Sequence, residues 1–252
     1  MRNKGQVTIF VIVGIIIVAA IVMIFFVNTN KISSNGQDFD NPESYIDNCV
    51  RESANSIITE MLAGGGFIWA NDTKIYQGKP VTYLCKNINN FEPCINQRPV
   101  YLGQVEKELE ENIQDDVEQC FALVKQEFER KNYEFEYGNV IVDAKLKPSV
   151  VEITAYNDVS IKKGDYSKMF GRFDTYVSSS LYDLGFIANE IVAQEAQWCY
   201  FSNDGFMTLY PEYDIRVYQL DDTTKIYTIM DKETKDKLMM ATRGCAMPAG
   251  LF

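Results

Sequence analysis

An α+β fold behind a single N-terminal transmembrane helix is the architecture this sequence predicts. Three observations predict it. An apolar run without a charge extends from Val7 to Val27. Beyond it, helical spacing of apolar residues in long stretches gives way to alternation in short ones. Six cysteines, Cys49, Cys85, Cys94, Cys120, Cys199 and Cys245, all follow the apolar run. Together these describe a membrane helix, a flexible tether, and an extracellular domain of amphipathic helices packed on antiparallel strands and stapled by disulfides.

The run is read first because it decides where the rest of the chain sits. As a helix its roughly 21 residues span about 31 Å, close to the hydrocarbon thickness of a bilayer. A buried soluble helix would have one polar face, and this one has none. A cleaved secretory signal would be shorter and would end in small residues; this run ends in Phe25, Phe26 and Val27. Arg2 and Lys4 precede it, whereas Lys31 is followed by Asp38, Asp40 and Glu43. That asymmetry places the N-terminus in the cytoplasm and residues 28–252 outside a single-pass cell-membrane protein. The divisions are a cytoplasmic signal segment at 1–6, a transmembrane helix at 7–27 and a linker at 28–42. A helical N-terminal subdomain at 43–132 and an α+β C-terminal subdomain at 133–252 follow.

After the polar linker, Ile46, Val50, Ala54, Ile57 and Met61 predict a helix over 43–63, with Cys49 on the same side and a C-cap at Gly64–Gly66. Two short strands follow around polar turns. Among them Asn71-Asp72-Thr73 forms a glycosylation sequon. The clearest helix spans about 103–131, where Val105, Leu109, Ile113, Val117, Cys120, Phe121, Val124 and Phe128 make one stripe. Its other side carries Glu106, Glu108, Glu110, Glu111, Asp115, Asp116 and Glu118 and reads as a solvated face. Residues 133–159 alternate as two or three antiparallel strands. A third helix is expected at about 176–200, with Val177, Leu181, Leu184, Ala188, Ile191 and Trp198 inward, and "SNDG" as the turn after it. The tail reads as a meander of "DIRVYQL", "KIYTIMD" and "KLMMATR".

The chemistry is mostly defined by exclusion. With no histidine in the chain, Ser-His-Asp, Cys-His and His-metal sites are ruled out, and no metal or cofactor is expected. Net charge −11 argues against a nucleic-acid partner. Ser178–Ser180 sits at the expected helix start, where hydroxyls cap free amides, and nothing positions a lysine beside it. Trp69, Trp198, Tyr210 and Tyr213 read as ordinary core; exposed, they would stack on sugars or a partner surface. Six cysteines pair in many ways. The expected set is Cys49–Cys120 on two facing helix stripes, Cys85–Cys94 across a short loop, and Cys199–Cys245 tying the last helix to the last strand.

The residues Lys4-Gly5-Gln6-Val7-Thr8-Ile9-Phe10, running into the apolar helix, resemble the class III signal of archaeal type IV pilins and related surface proteins. The resemblance implies cleavage between Gly5 and Gln6 on the cytoplasmic side, with the hydrophobic helix retained. Tyr45–Ser53, "YIDNCVRES", and the turn at Gly64–Gly66 add a similarity to a group of surface proteins of small-genome archaea. Two features depart from the pilin pattern: Phe10 stands where many pilins have Glu, and Asn28–Pro42 interrupts the helix. The expectation is therefore a non-enzymatic, membrane-anchored surface protein with a structural or adhesive role. Its partners would be membrane lipid through the N-terminal helix, and a homo-oligomer or an envelope protein. A pilin-like filament subunit is the alternative, and an envelope hydrolase a further one.

Overall fold

The computed structural model describes residues 41–245. Within them the chain is α+β, with four helices, ten strands and three disulfides. The apolar run Val7–Val27 and the Gly5-Gln6 signal lie outside the described residues. Among those described, no helix is long and apolar enough to cross a membrane.

Helix α1, Pro42–Ala63, begins on a proline, whose missing N–H costs nothing in a first turn. Ile46, Val50, Ala54, Ile57, Ile58 and Met61 are buried on one face. The glycine turn ends it: Gly65 and Gly66 have φ of +77° and +89°, and the Gly66 amide donates to the Met61 carbonyl at 2.7 Å. A side chain on Gly66 would meet the Tyr101 hydroxyl and Val105 at 2.7 Å, so this turn also lets α2 approach. Helix α2, Tyr101–Arg130, buries the stripe that its sequence spacing predicts, from Val105 through Phe128. Cys49 of α1 and Cys120 of α2 are joined with their Cα atoms 5.8 Å apart.

These helices pack against a four-stranded antiparallel sheet. Its long strand β6, Val150–Lys163, pairs on one side with β7, Tyr166–Ser178. On the other side it pairs with β4, Glu134–Tyr137, and β5, Ile141–Lys147, lying end to end. Val151, Ile153, Ala155, Val159 and Ile161 of β6 are buried. A bulge at Asn157-Asp158 opposes Gly171; β6 keeps its alternation through it, while the inward set of β7 changes parity between Phe170 and Phe173.

The acidic face of α2 differs from the solvated face expected. The Ala144 amide donates to Glu110 at 3.0 Å and the Leu146 amide to Glu106 at 2.9 Å. Both amides belong to β5, whose side away from β6 has no strand partner. The Ile68 and Trp69 amides both donate to Glu108, at 3.0 and 3.1 Å. Three of the seven carboxylates thus satisfy loop and sheet-edge backbone instead of facing only water. We expect Glu106→Ala with Glu110→Ala to cost about 1–3 kcal/mol for each amide left without a partner. The matching double Gln variant keeps an acceptor and should lose far less. Urea midpoints of the two variants decide this; equal losses would mean that charge, not the edge amides, is what matters.

The second layer is a six-stranded sheet in the order β1-β2-β10-β9-β8, with β3 beside β2. Its strands are β1 Thr73–Tyr76, β2 Lys79–Lys86, β3 Ile95–Asn96, β8 Tyr213–Gln219, β9 Lys225–Asp231 and β10 Lys237–Arg243. The β2–β10 pair is parallel and the rest are antiparallel. Residues 42–245 belong to one compact unit, in which β2, from before residue 132, lies between β1 and β10. One face of the sheet meets helix α3, Leu181–Trp198. On the other, Val81, Tyr83, Ile226 and Ala241 cluster with Tyr76, Leu220 and Met239. The sheet curls over that cluster, bringing Tyr76 of β1 and Tyr218 of β8 to 5.7 Å between ring centres. Lys74 of β1 also pairs with Asp222, in the turn between β8 and β9, at 2.5 Å.

Two boundaries differ from the sequence reading. The third helix starts at Leu181, not Tyr176, because Tyr176–Ser178 completes β7. The "SNDG" segment opens a seven-residue helix, α4, Asn203–Leu209, rather than forming a plain turn.

Candidate functional site

The aromatic residues read as core are the main correction at the surface. Trp69 is 80 % exposed, Trp198 67 % and Tyr210 47 %, and Tyr213 is only half-buried. Trp198 leaves the core because the buried stripe of α3 runs through Leu184, Ala188, Ile191, Val192 and Glu195. Its outward stripe is Phe186, Glu190, Gln194 and Trp198, at four-residue spacing.

Phe186, Glu190 and Gln194 of that stripe, with Tyr182, Asp183 and Ile187, form one wall of a groove of about 680 Å³, which Trp198 does not line. The other wall comes from α4 and the start of β8, through Phe206, Leu209, Tyr210, Glu212 and Tyr213. The size is that of an ordinary ligand cleft. Five aromatic rings line it, with Ile187 and Leu209 between them. Phe206 and Tyr210 stack at 4.7 Å, which fixes one wall. Phe186 is 60 % exposed and Leu209 76 %, so the apolar surface is open to solvent.

The charges in the groove have one sign. Asp183, Glu190 and Glu212 line it, and no lysine or arginine does. Asp183 accepts the Ser149 amide at 2.8 Å and Glu190 accepts the Gln194 amide at 2.7 Å. Those donors are neutral, and among the described residues none of the three carboxylates makes an ion pair. Lys232, next to this rim, donates to the Pro211 carbonyl. Burial, and then the charges of Asp183, Asp231 and Glu212, push the Tyr213 hydroxyl above its ordinary range. A second, polar cleft of about 370 Å³ near the start of α1 differs in holding a cation in its lining, Arg172, which pairs with Asp174 at 2.7 Å.

The serine run does structural work. Ser178 ends β7, and Ser180 stands at the N-cap of α3 without capping through its side chain. Its hydroxyl donates to Asp231 at 2.7 Å, and its amide donates to Asp236 at 2.9 Å. The Leu181 amide donates to the Ser179 hydroxyl at 3.2 Å. The nearby Lys235 donates to a backbone carbonyl, so no lysine is seen bonded to these hydroxyls.

At the other end of α3 lies a buried ion pair that sequence reasoning missed. Glu195 is fully buried and accepts from Lys225 through both oxygens, at 2.8 and 2.9 Å. Lys225 also donates to the Cys199 carbonyl at 2.8 Å, and Tyr227 donates to Glu195. Burial, and then this bond to Glu195, push the Tyr227 hydroxyl well above the phenol range. The only sequence signal was a glutamate on the apolar face of a helix.

The structure joins the three cysteine pairs expected, with Cα–Cα distances of 5.8 Å for Cys49–Cys120, 5.3 Å for Cys85–Cys94 and 6.0 Å for Cys199–Cys245. Asn71 is exposed in the loop before β1, and Thr73 opens that strand. Gly5 and Gln6 lie outside the described residues. Among the described residues no group of three or more His, Cys, Asp or Glu side chains is placed to hold a metal. Comparison with protein-family models, curated proteins and solved structures returned no match.

Proposed function

We propose that this chain is a membrane-anchored extracellular surface protein with a structural or adhesive role, and that the groove between α3, α4 and β8 is its contact surface. The observation that carries the reading is that all six cysteines are paired, leaving none free. Such pairing belongs to an oxidising exterior. The apolar run Val7–Val27, with Arg2 and Lys4 before it, supplies a means of holding the domain there. The sequon at Asn71, on an exposed loop, suits the same compartment and is a candidate for glycosylation.

Protease added to intact cells should digest residues 28–252, and Ile16→Asp should impair membrane insertion, at about 2.5–3.5 kcal/mol for a charge at a helix centre. Full protection of the domain would overturn the orientation. Mass spectrometry of the native N-terminus tests the pilin-like alternative, which the Gly5-Gln6 signal favours. A chain beginning at Gln6 supports class III processing; one that retains Met1–Gly5 is a plain uncleaved anchor.

A further inference from the structure

We infer that the groove between α3 and α4 takes a basic segment of a partner protein, one that carries lysine or arginine beside apolar side chains. The inference rests on the contact role proposed for the groove and names the chemistry of what fills it.

Two properties of the lining specify that chemistry. Carboxylates stand among aromatic rings with no lysine or arginine in the lining and, among the described residues, no ion pair to any of the three; the cation at the rim, Lys232, is bonded to the Pro211 carbonyl. An ammonium or guanidinium group is attracted both to a carboxylate and to an aromatic face, and gains more where water is thinned. The exposed Phe186, Leu209 and Tyr210 offer apolar surface for the stems and neighbours of such residues.

The same lining disfavours other occupants. A second copy would bring a chain of net charge −11 to a face that is itself acidic. An acidic peptide or a phosphate would meet Asp183, Glu190 and Glu212 with no counter-charge in the lining. A single small cation would leave most of the 680 Å³ unfilled. A neutral sugar would use the rings but leave the carboxylate charges unanswered. A basic, apolar-flanked peptide uses both sets of groups.

The test uses the full chain in detergent micelles and a synthetic peptide of alternating Arg and Leu, followed by calorimetry. Controls are the same peptide with Glu for Arg, the peptide with Ser for Leu, and a chito-oligosaccharide. Because the whole chain is acidic, the variants carry the decision. Glu190→Gln with Glu212→Gln should weaken Arg/Leu binding by roughly tenfold or more. Phe186→Ser, at an exposed position, should weaken it similarly. Neutralising Glu111 and Asp115, exposed on α2, removes the same charge elsewhere and should change affinity less than about twofold. Equal losses from the two charge-neutral pairs would mean bulk attraction and overturn the proposal. So would preference for the oligosaccharide, unchanged affinity for the Ser-substituted peptide, or dimerisation abolished by Phe186→Ser. The cell-surface reading fails separately, on protease protection of intact cells, whatever the peptide does.

Discussion

Replacing Glu195 with alanine is expected to destabilise the domain by about 3–5 kcal/mol, the range for removing one partner of a buried ion pair. The loss arises from what remains. Lys225 would keep only the Cys199 carbonyl among its bonds, and Tyr227 would lose its acceptor inside the core. Glu195→Gln should fall between wild type and alanine, because an amide oxygen still accepts while the charge is gone. Lys225→Met, which removes the cation and strands the carboxylate, should cost as much as the alanine variant. Guanidinium denaturation followed by circular dichroism is the measurement; Trp69 and Trp198 are too exposed for fluorescence to report on the core. A loss under about 1 kcal/mol for Glu195→Ala would mean that water replaces the carboxylate.

The neighbouring tyrosine gives this core a dependence on alkaline pH. Tyr227, by burial and then Glu195, and Tyr101, by burial alone, have hydroxyls held above the ordinary phenol range. A folded pKa raised above the unfolded value means that the folded state holds the proton longer. That contribution is complete below about pH 10 and declines as pH rises beyond it. Phenolate absorbance should therefore show these two rings ionising only together with unfolding.

The second large effect belongs to the disulfides, and it should be graded by loop length. In the chain-entropy model, loss of the Cys49–Cys120 bond, 71 residues apart, costs about 4 kcal/mol, and loss of Cys199–Cys245, 46 apart, nearly the same. Loss of Cys85–Cys94, 9 apart, costs about 2.7 kcal/mol. Pairwise alanine variants compared by denaturation midpoint test the order. The long-loop bonds also hold distinct elements: Cys49–Cys120 joins α1 to α2, and Cys199–Cys245 ties the end of α3 to the residues after β10. If the Cys85 and Cys94 pair of replacements proved as damaging as the Cys49 and Cys120 pair, local packing around the short loop, not chain entropy, would govern the stabilisation. In either case reduction should weaken the domain, as an oxidising location requires.

Some of this was legible in the sequence because it depends on neighbours along the chain. Helical spacing in α1 and α2 reports one buried face directly, since residues three and four apart share a side. The glycine turn was legible because only glycine takes φ near +80° without strain. Cys49 and Cys120 could be paired because each sits on the apolar stripe of its own helix, and two such stripes must meet. The last three strands were separated by polar turns and needed no tertiary information.

Strand β7 was missed because Tyr166–Ser178 alternates poorly, and its bulge partner Gly171 shifts the inward set from Phe170 to Phe173. Trp198 was misplaced because an aromatic near a helix end fits the apolar face by composition, whereas its angle around α3 points it outward.

By itself, the sequence determined the apolar run, the helix stripes, the exclusion of histidine chemistry and the acidic charge. These are set by residue type and local order. Only the tertiary structure decided the parallel β2–β10 pairing, the glutamates of α2 that hold the edge of β5, the burial of Glu195 beside Lys225, and the groove on α3. Each joins residues far apart in the chain, and a glutamate reads the same in sequence whether it faces water, a backbone amide or a lysine. Which of these it meets depends on which surfaces come together when the core closes.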